Sequence, residues 1–309
     1  MIRSQVRRTI RDRSLLKEGD RVLVACSGGP DSAALLFILS ELAPELSLHI
    51  EAASVNHGLR KNASDDVEIA RQQSVLAAVG FHSLSVKVSS EGSLQAQARE
   101  ARYSALFELA RDRNFSHVAT GHTLDDQSET VFLRMLRGSG LRGLSSINPI
   151  RDDGVVRPLI DLSRADVHEY AYSKTRNIAI DPSNSNPRFD RVKVRTEFLP
   201  GLRKLNQNID SHLARLADES AELFQWIDEV AKLVVNGQDR LSVSLLMKLP
   251  PPVRRAAIHS FIVKATNSVS GSHLDQTFDL CSKGKGEVWL SQTQMVIIHD
   301  DLLSVIQRT

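Results

Sequence analysis

The sequence predicts an α/β protein: a doubly wound, mostly parallel sheet followed by a smaller C-terminal α+β domain. Three observations predict it. Short apolar runs alternate with longer helical patterns from residue 21 onward, the texture that builds parallel βαβ units. One of these runs, in residues 21–39 (RVLVACSGGPDSAALLFIL), breaks at a glycine turn and resumes at once as a helix. After Gly237 the texture changes to short helices and strands that carry no chemical motif. The 309-residue length also exceeds that of a usual single domain. The expected division is a catalytic domain over 1–205, a linking helix over 206–235 and an accessory domain over 236–309.

The elements follow in order. Residues 22–26 form a short run, β-branched at Val22 and Val24, and read as a buried strand. Residues 33–39 are rich in Ala and Leu and read as a helix, with Pro30 or Asp31 near its first turn. Residues 48–55 are a second strand that delivers Asn56, His57, Gly58, Leu59 and Arg60 at its end. Residues 64–79 form a helix with Ser64 as N-cap and Asp65 and Asp66 in the first turn. A third strand is expected at 84–88, a helix at 94–111 and a fourth strand at 117–120, ending at Gly121 and His122. Residues 123–137 start a helix with Asp125, Asp126 and Glu129 near its beginning. Ser163 caps a helix over 163–175 with Asp166 at the capping-box position. Residues 181–184 are a turn by their chemistry, and a basic stretch follows over 188–204. Apolar residues then recur at helical spacing from 209 to 235. A helix at 253–265 and strands at 287–290 and 295–298 complete the tail.

Composition excludes several classes. No apolar run is long enough to cross a bilayer. The N-terminus is basic without the apolar core of a secretory signal, so a cytoplasmic location is expected. Arginine-rich starts also serve organelle import, but Asp12, Glu18 and Asp20 argue against that use. Cys26 and Cys281 are too few and too far apart for a zinc site or a disulfide framework, and Cys26 reads as a small core residue. The net charge is only +2, yet arginines crowd residues 3–13 and basic residues crowd 188–204. Such clusters are ordinarily solvated faces and gain interest beside a phosphate-handling site.

A strand, a glycine turn and a helix N-terminus make an anion site, because free N–H groups and the helix dipole face the ligand. In a doubly wound sheet, ligands bind at the carboxyl ends of the strands. The turn Ser27, Gly28, Gly29, Pro30, Asp31, Ser32 lies at that edge, as do His57 with Arg60, and His122 with the residues after it. The turn lacks GxxxxGK[ST] and GxGxxG, which disfavours a P-loop kinase or GTPase and a dinucleotide enzyme. Asp125, Asp126 and Glu129 have two readings: complements of a helix dipole, or carboxylates for a hard cation or an ammonium group.

The turn matches the SGGxDS pattern of the pyrophosphate-loop ATPases, whose fold is adenine nucleotide alpha-hydrolase-like. Further stretches resemble the bacterial tRNA(Ile)-lysidine synthetases, in their short form. They are VNHGLR at 55–60, QAREARY at 97–103, ATGHTLDDQSET at 119–130, RGSG at 137–140, RPL at 157–159 and DPSN at 181–184. The resemblance covers 21–202 in motif detail and the tail more loosely. It departs at one point: the family's Arg-Asn pair after the turn is Arg191 followed by Val192 here, while Arg195 keeps its place.

The resemblance implies an ATP-dependent, AMP-forming carbon–nitrogen ligase. Such an enzyme adenylates the wobble cytidine of an isoleucine tRNA with a CAU anticodon, then joins free lysine to it, giving lysidine, which reads A instead of G. Ser27, Gly28, Gly29, Pro30, Asp31 and Ser32 would hold the phosphates, with Asp31 serving Mg²⁺ or orienting pyrophosphate. Asp125, Asp126 and Glu129 would hold a metal ion, with Asp125 beside Asp31, or the lysine ammonium, and a carboxylate would take the amine's proton. His57 and His122 would line the nucleotide pocket, though each also suits a strand-end or core position. Arg99 and Arg102 share one helix face, as a solvated stripe or as contacts to ATP and tRNA. Arg137, Arg188, Arg191, Arg195 and the N-terminal arginines would track the tRNA backbone, and the accessory domain would recognise the tRNA. A homodimer is left open. The rival readings are a tRNA 2-thiolation enzyme, which would carry cysteine pairs that this chain lacks, and a nucleotide- or RNA-binding relative without chemistry.

Overall fold

The computed structural model describes residues 1–56, 58, 63–86, 94–180 and 190–307. His57, Arg60, the turn at 181–184 and Arg188 therefore lie outside the described residues. The chain forms two compact units, Met1–Asp218 and Glu219–Thr309.

The first unit opens with helix α1 (Ile2–Asp12), in which Val6, Thr9 and Ile10 are buried. Then follow β1 (Arg21–Ala25), α2 (Pro30–Leu46), β2 (His49–Asn56), α3 (Ala63–Leu76), β3 (Gly80–Ser85), α4 (Leu94–Asp112), β4 (His117–Ala119) and α5 (Leu124–Leu136). The short α6 (Leu141–Leu144), β5 (Val155–Val156) and α7 (Arg164–Lys174) come next. Helix α8 (Asp190–Lys193), a π-helical turn (Val194–Phe198) and α9 (Leu199–Leu205) precede α10 (Ile209–Val235), inside which the boundary between the units falls.

The five strands are all parallel, in the order β3-β2-β1-β4-β5. The chain reverses direction across the sheet between β1 and β4, so the crevice at their carboxyl ends is where a ligand is expected. Side-chain alternation assigns the faces. Val22, Val24, Ala52 and Ala119 point into a core with α1, α2 and α7. Leu23, Ala53 and Val118 point to the other side, against Leu106 and Ala110 of α4. Residues Val131, Val194, Leu199, Leu213 and Ala217 form a further apolar cluster that joins α5 to the π-helical turn, α9 and the start of α10.

Three sequence expectations shift. The third strand runs at Gly80–Ser85 because Glu51–Asn56 of β2 pair with it there, four residues earlier than its alternating pattern suggests. The basic N-terminus is a helix, anchored by Val6 and Ile10 four residues apart. Its arginines do not form a free cationic face: Arg3 and Arg7 pair with Glu41 and Glu45 of α2, Arg8 and Arg11 with Asp12, and Arg13 with Asp161 and Asp218.

The second unit continues from α10 with β6 (Leu241–Ser242), α11 (Val243–Lys248), α12 (Pro251–Thr266), α13 (Gly271–Lys283), β7 (Gly286–Trp289), β8 (Gln294–His299) and β9 (Leu302–Gln307). Its antiparallel sheet has the order β6-β9-β8-β7 and buries Val288, Val296, Ile298 and Leu303 against Ile258, Phe261 and Leu280. Helix α13 and strand β9 are not among the sequence expectations, although Ser270 caps the start of α13 and Gly284, at φ +75°, ends it. Among the described residues, no helix is long and apolar enough to cross a membrane.

Candidate active site

The turn between β1 and α2 is held from inside and from behind. Ser32, nearly buried, receives the Ser27 N–H at 3.1 Å and donates its own hydroxyl to the Gly29 carbonyl at 3.0 Å. Gly28 adopts φ +78°, and a Cβ there would lie 2.9 Å from the Asp66 carbonyl. Its own carbonyl accepts the N–H of Ala179 and the amide of the fully buried Gln73. Gly29 is the N-cap of α2, Pro30 follows it, and no side chain caps the helix. The helix N-terminus is thus left open, the arrangement that suits a phosphate. Gly121, at the end of β4, comes so close that a Cβ would sit 2.8 Å from the Asp31 carbonyl. The two strand ends meet only because that position has no side chain.

These elements open onto a cleft of about 440 Å³, lined by Ser27, Gly29, Asp31 and Ser32 on one side, and by Arg99, Arg102 and Tyr103 of α4 on another. His122 and Asp126 also face it. Asp31, half-buried, accepts a hydrogen bond at 3.0 Å from His168 Nε2 on α7.

The acidic trio of α5 separates into three environments. Asp126 Oδ2 accepts from the Thr123 N–H and hydroxyl, both at 2.9 Å, while Oδ1 accepts from Arg164 at 2.8 Å. Burial alone would raise its pKa, but the Arg164 guanidinium, the Thr123 N–H and the more distant Arg191 hold it below the usual carboxylate range. Asp125 is absent from the cleft lining: it accepts the Arg164 N–H at 2.7 Å and Arg203 Nη2 at 2.8 Å. Glu129 is fully buried and accepts from three guanidiniums, those of Arg164, Arg191 and Arg195, at 2.7–3.0 Å.

These placements bear on three expectations. Asp125 does not line the cleft with Asp31, and the Arg164 N–H and Arg203 already donate to its oxygens. The two oxygens of Glu129 already accept four guanidinium hydrogen bonds. Arg191 and Arg195 donate to Glu129 while remaining partly exposed. Arg137 is exposed, 4.0 Å from Asp190. Among the described residues, no group of three or more His, Cys, Asp and Glu side chains is arranged to hold a metal ion. Asp31 nevertheless fits Mg²⁺ brought in on phosphates, since that ion is commonly bound through one or two carboxylates plus phosphate oxygens.

Sequence reasoning missed Arg164, His168 and Arg203. Each sits on a helix with an ordinary local pattern, so only the tertiary fold brings it to a carboxylate. Cys26 is buried, and burial pushes its thiol up to about 12, which fits a core residue and no nucleophile.

His122, half-buried with Nδ1 2.9 Å from Thr120 Oγ1, is pushed down to about 3 by burial and by the nearby Arg157 and Arg99, against the pull of Asp126. It is neutral in the folded protein at neutral pH. Since the unfolded chain protonates this imidazole near its ordinary pKa of about 6.5, unfolding takes up a proton at any pH between the two values. Stability from this group is full above about pH 6.5 and is lost progressively as the pH drops to about 3. Urea denaturation between pH 4.5 and 7 is expected to show this slope, and His122→Gln to flatten it. An unchanged slope in the variant would contradict a neutral His122.

A family model described as the PP-loop domain matches residues 2–202. A tRNA(Ile)-lysidine synthase of Thermobifida fusca is 35% identical over 298 residues, which cover 93% of this chain and 90% of that protein. The chain belongs to the tRNA(Ile)-lysidine synthase family. A lysidine synthase of Gloeobacter violaceus is 37% identical over 257 residues, covering 80% of this chain and 78% of that one. Among solved structures, the U34-tRNA thiolase of Methanococcus maripaludis with its [4Fe-4S] cluster superposes with a TM-score of 0.61 at 17% identity, over 72% of this chain and 80% of that one. At that identity the likeness speaks to the fold only. Iron–sulfur clusters need several Cys thiolates, and this member of the lysidine synthase family has two cysteines, both buried.

Proposed function

We propose that this protein joins free lysine to the wobble cytidine of an isoleucine tRNA with a CAU anticodon, in an ATP-dependent, AMP-forming reaction. Beside the family membership, one observation carries the reading. An uncapped helix N-terminus with a glycine cradle opens onto the same cleft as a neutral imidazole, a carboxylate and a set of arginines. ATP supplies the adenylate that activates the pyrimidine carbonyl for displacement by an amine. The N–H groups at the start of α2 and the hydroxyls of Ser27 and Ser32 hold phosphate oxygens, and Asp31, steadied by His168, receives Mg²⁺.

Asp126 is the α5 carboxylate that faces the cleft. Its depressed pKa keeps it ionised, so it attracts the lysine ammonium, and the neutral His122 beside it lines the pocket without adding a competing positive charge. The second unit, with Arg240, Lys248, Lys283 and Lys285 exposed, is the proposed element of tRNA recognition.

Separation of the nucleotide products tests the chemistry. Under continuous turnover AMP and pyrophosphate are expected in equal amounts, with AMP release requiring both lysine and the tRNA. ADP with inorganic phosphate as the product would contradict the reading.

A further inference from the structure

Arg99, Arg102 and Tyr103 line the cleft that the glycine turn opens onto, and Arg151 and Arg157 join them around the same phenol from outside the lining. Arg99, Arg102 and Arg151 place their Cζ atoms 5.1, 5.9 and 5.0 Å from the centre of the Tyr103 ring. Arg157, just after β5, is 3% exposed, donates to the Asn148 carbonyl and engages the same tyrosine. Its Nε is buried without a hydrogen-bond partner. Among the described residues, Arg151 alone of the four pairs with a carboxylate, that of Asp153. Like charges packed this way repel, and a buried donor without a partner is destabilising. Burial and the neighbouring guanidiniums pull Arg102 and Arg157 below the ordinary arginine value. The ring faces of Tyr103 recover part of that cost by cation–π attraction. They do not neutralise the charge.

We propose that the Tyr103 cluster is a second anion subsite of the cleft, which takes a phosphodiester of the tRNA next to the base being modified. The proposal rests on the reading that the substrate is a tRNA. The open end of α2 already provides for the phosphates of ATP, so Arg99 and Arg102 on α4, with Arg157 behind them and none of the three paired with a carboxylate among the described residues, are left for the other anionic substrate. The cluster also runs from the exposed Arg99 to the buried Arg157. That gradient suits a polyanion entering from solvent. Guanidinium planes bind phosphate oxygens bidentately, and Tyr103 held among them is a positioning residue for the four.

The test uses the full chain, an isoleucine tRNA transcript with a CAU anticodon, and ATP measured separately. Arg99→Gln alters an exposed side chain and leaves folding alone; Arg102→Gln and Arg102→Lys form the second pair. Each Gln variant is expected to bind tRNA about tenfold more weakly and to lower the slope of log affinity against log salt by about 0.7–1, while Arg102→Lys keeps most of the slope. ATP affinity is expected to stay within about twofold, as for a contact that the nucleotide does not make. Unchanged tRNA affinity and slope would overturn the proposal. So would loss of ATP affinity with the tRNA slope intact, which would assign the cluster to the nucleotide. A wild type without salt-dependent tRNA binding overturns it too. A wild type that binds tRNA through this cluster yet attaches no lysine would instead contradict the proposed function and leave the subsite standing.

Discussion

Replacing Glu129 with alanine is expected to destabilise the first unit by about 3 kcal/mol, read as a lower urea midpoint with an unchanged denaturant slope. The side chain is fully buried and its two oxygens accept four hydrogen bonds from Arg164, Arg191 and Arg195. Its removal leaves three cations facing one another, with Asp126 compensating only Arg164. The figure sits at the low end of the range for a broken buried pair because Arg191 and Arg195 are partly exposed and regain water. The same loss loosens the π-helical turn and α9, whose attachment to α5 otherwise rests on Val131, Val194 and Leu199. Glu129→Gln preserves shape but not charge and is expected to fall between the two. A Glu129→Ala protein as stable as the wild type but unable to use lysine would show that the residue meets substrate after all.

Asp31→Asn is expected to give the opposite profile: stability within about 0.5 kcal/mol of the wild type, and a rate of lysine transfer lower by about a hundredfold or more. Asp31 is half-buried at the first turn of α2, and His168 donates to its carboxylate. An asparagine keeps that hydrogen bond and the helix start. It removes the negative charge proposed to receive Mg²⁺ beside the phosphates. Urea titration and single-turnover kinetics on the same preparation separate the two effects. A variant with wild-type transfer rate would remove Asp31 from the site.

The two variants mark how far the sequence is legible. The glycine turn is readable because it is a local object: Gly28 needs its positive φ, Ser32 reaches back five residues to Ser27, and a helix begins at once. The parallel sheet follows from the alternation of strands and helices; its strand order does not. The acidic run of α5 is legible as chemistry but not as assignment. Asp125, Asp126 and Glu129 lie within five positions, yet one faces Arg203, one the cleft and one, fully buried, a set of three arginines. Their partners come from residues 164, 191, 195 and 203, distances along the chain that no local pattern encodes. The basic stretches mislead for the same reason. A cluster of arginines reads as a surface for nucleic acid until Glu41, Glu45, Asp161 and Glu129 are found beside it. Tyr103 and Arg157 are visible in quoted motifs, but their meeting depends on the packing of α4 against the sheet.

Incorporation of labelled lysine tests the central claim most directly. Purified full-length protein is incubated with ATP, Mg²⁺, radiolabelled lysine and an isoleucine tRNA bearing a CAU anticodon, and the tRNA is digested to nucleosides. The account predicts label in a single modified cytidine at the wobble position, dependent on ATP and absent with Asp31→Asn. Folded protein that leaves the tRNA unlabelled while ATP, lysine and tRNA are all present would contradict it.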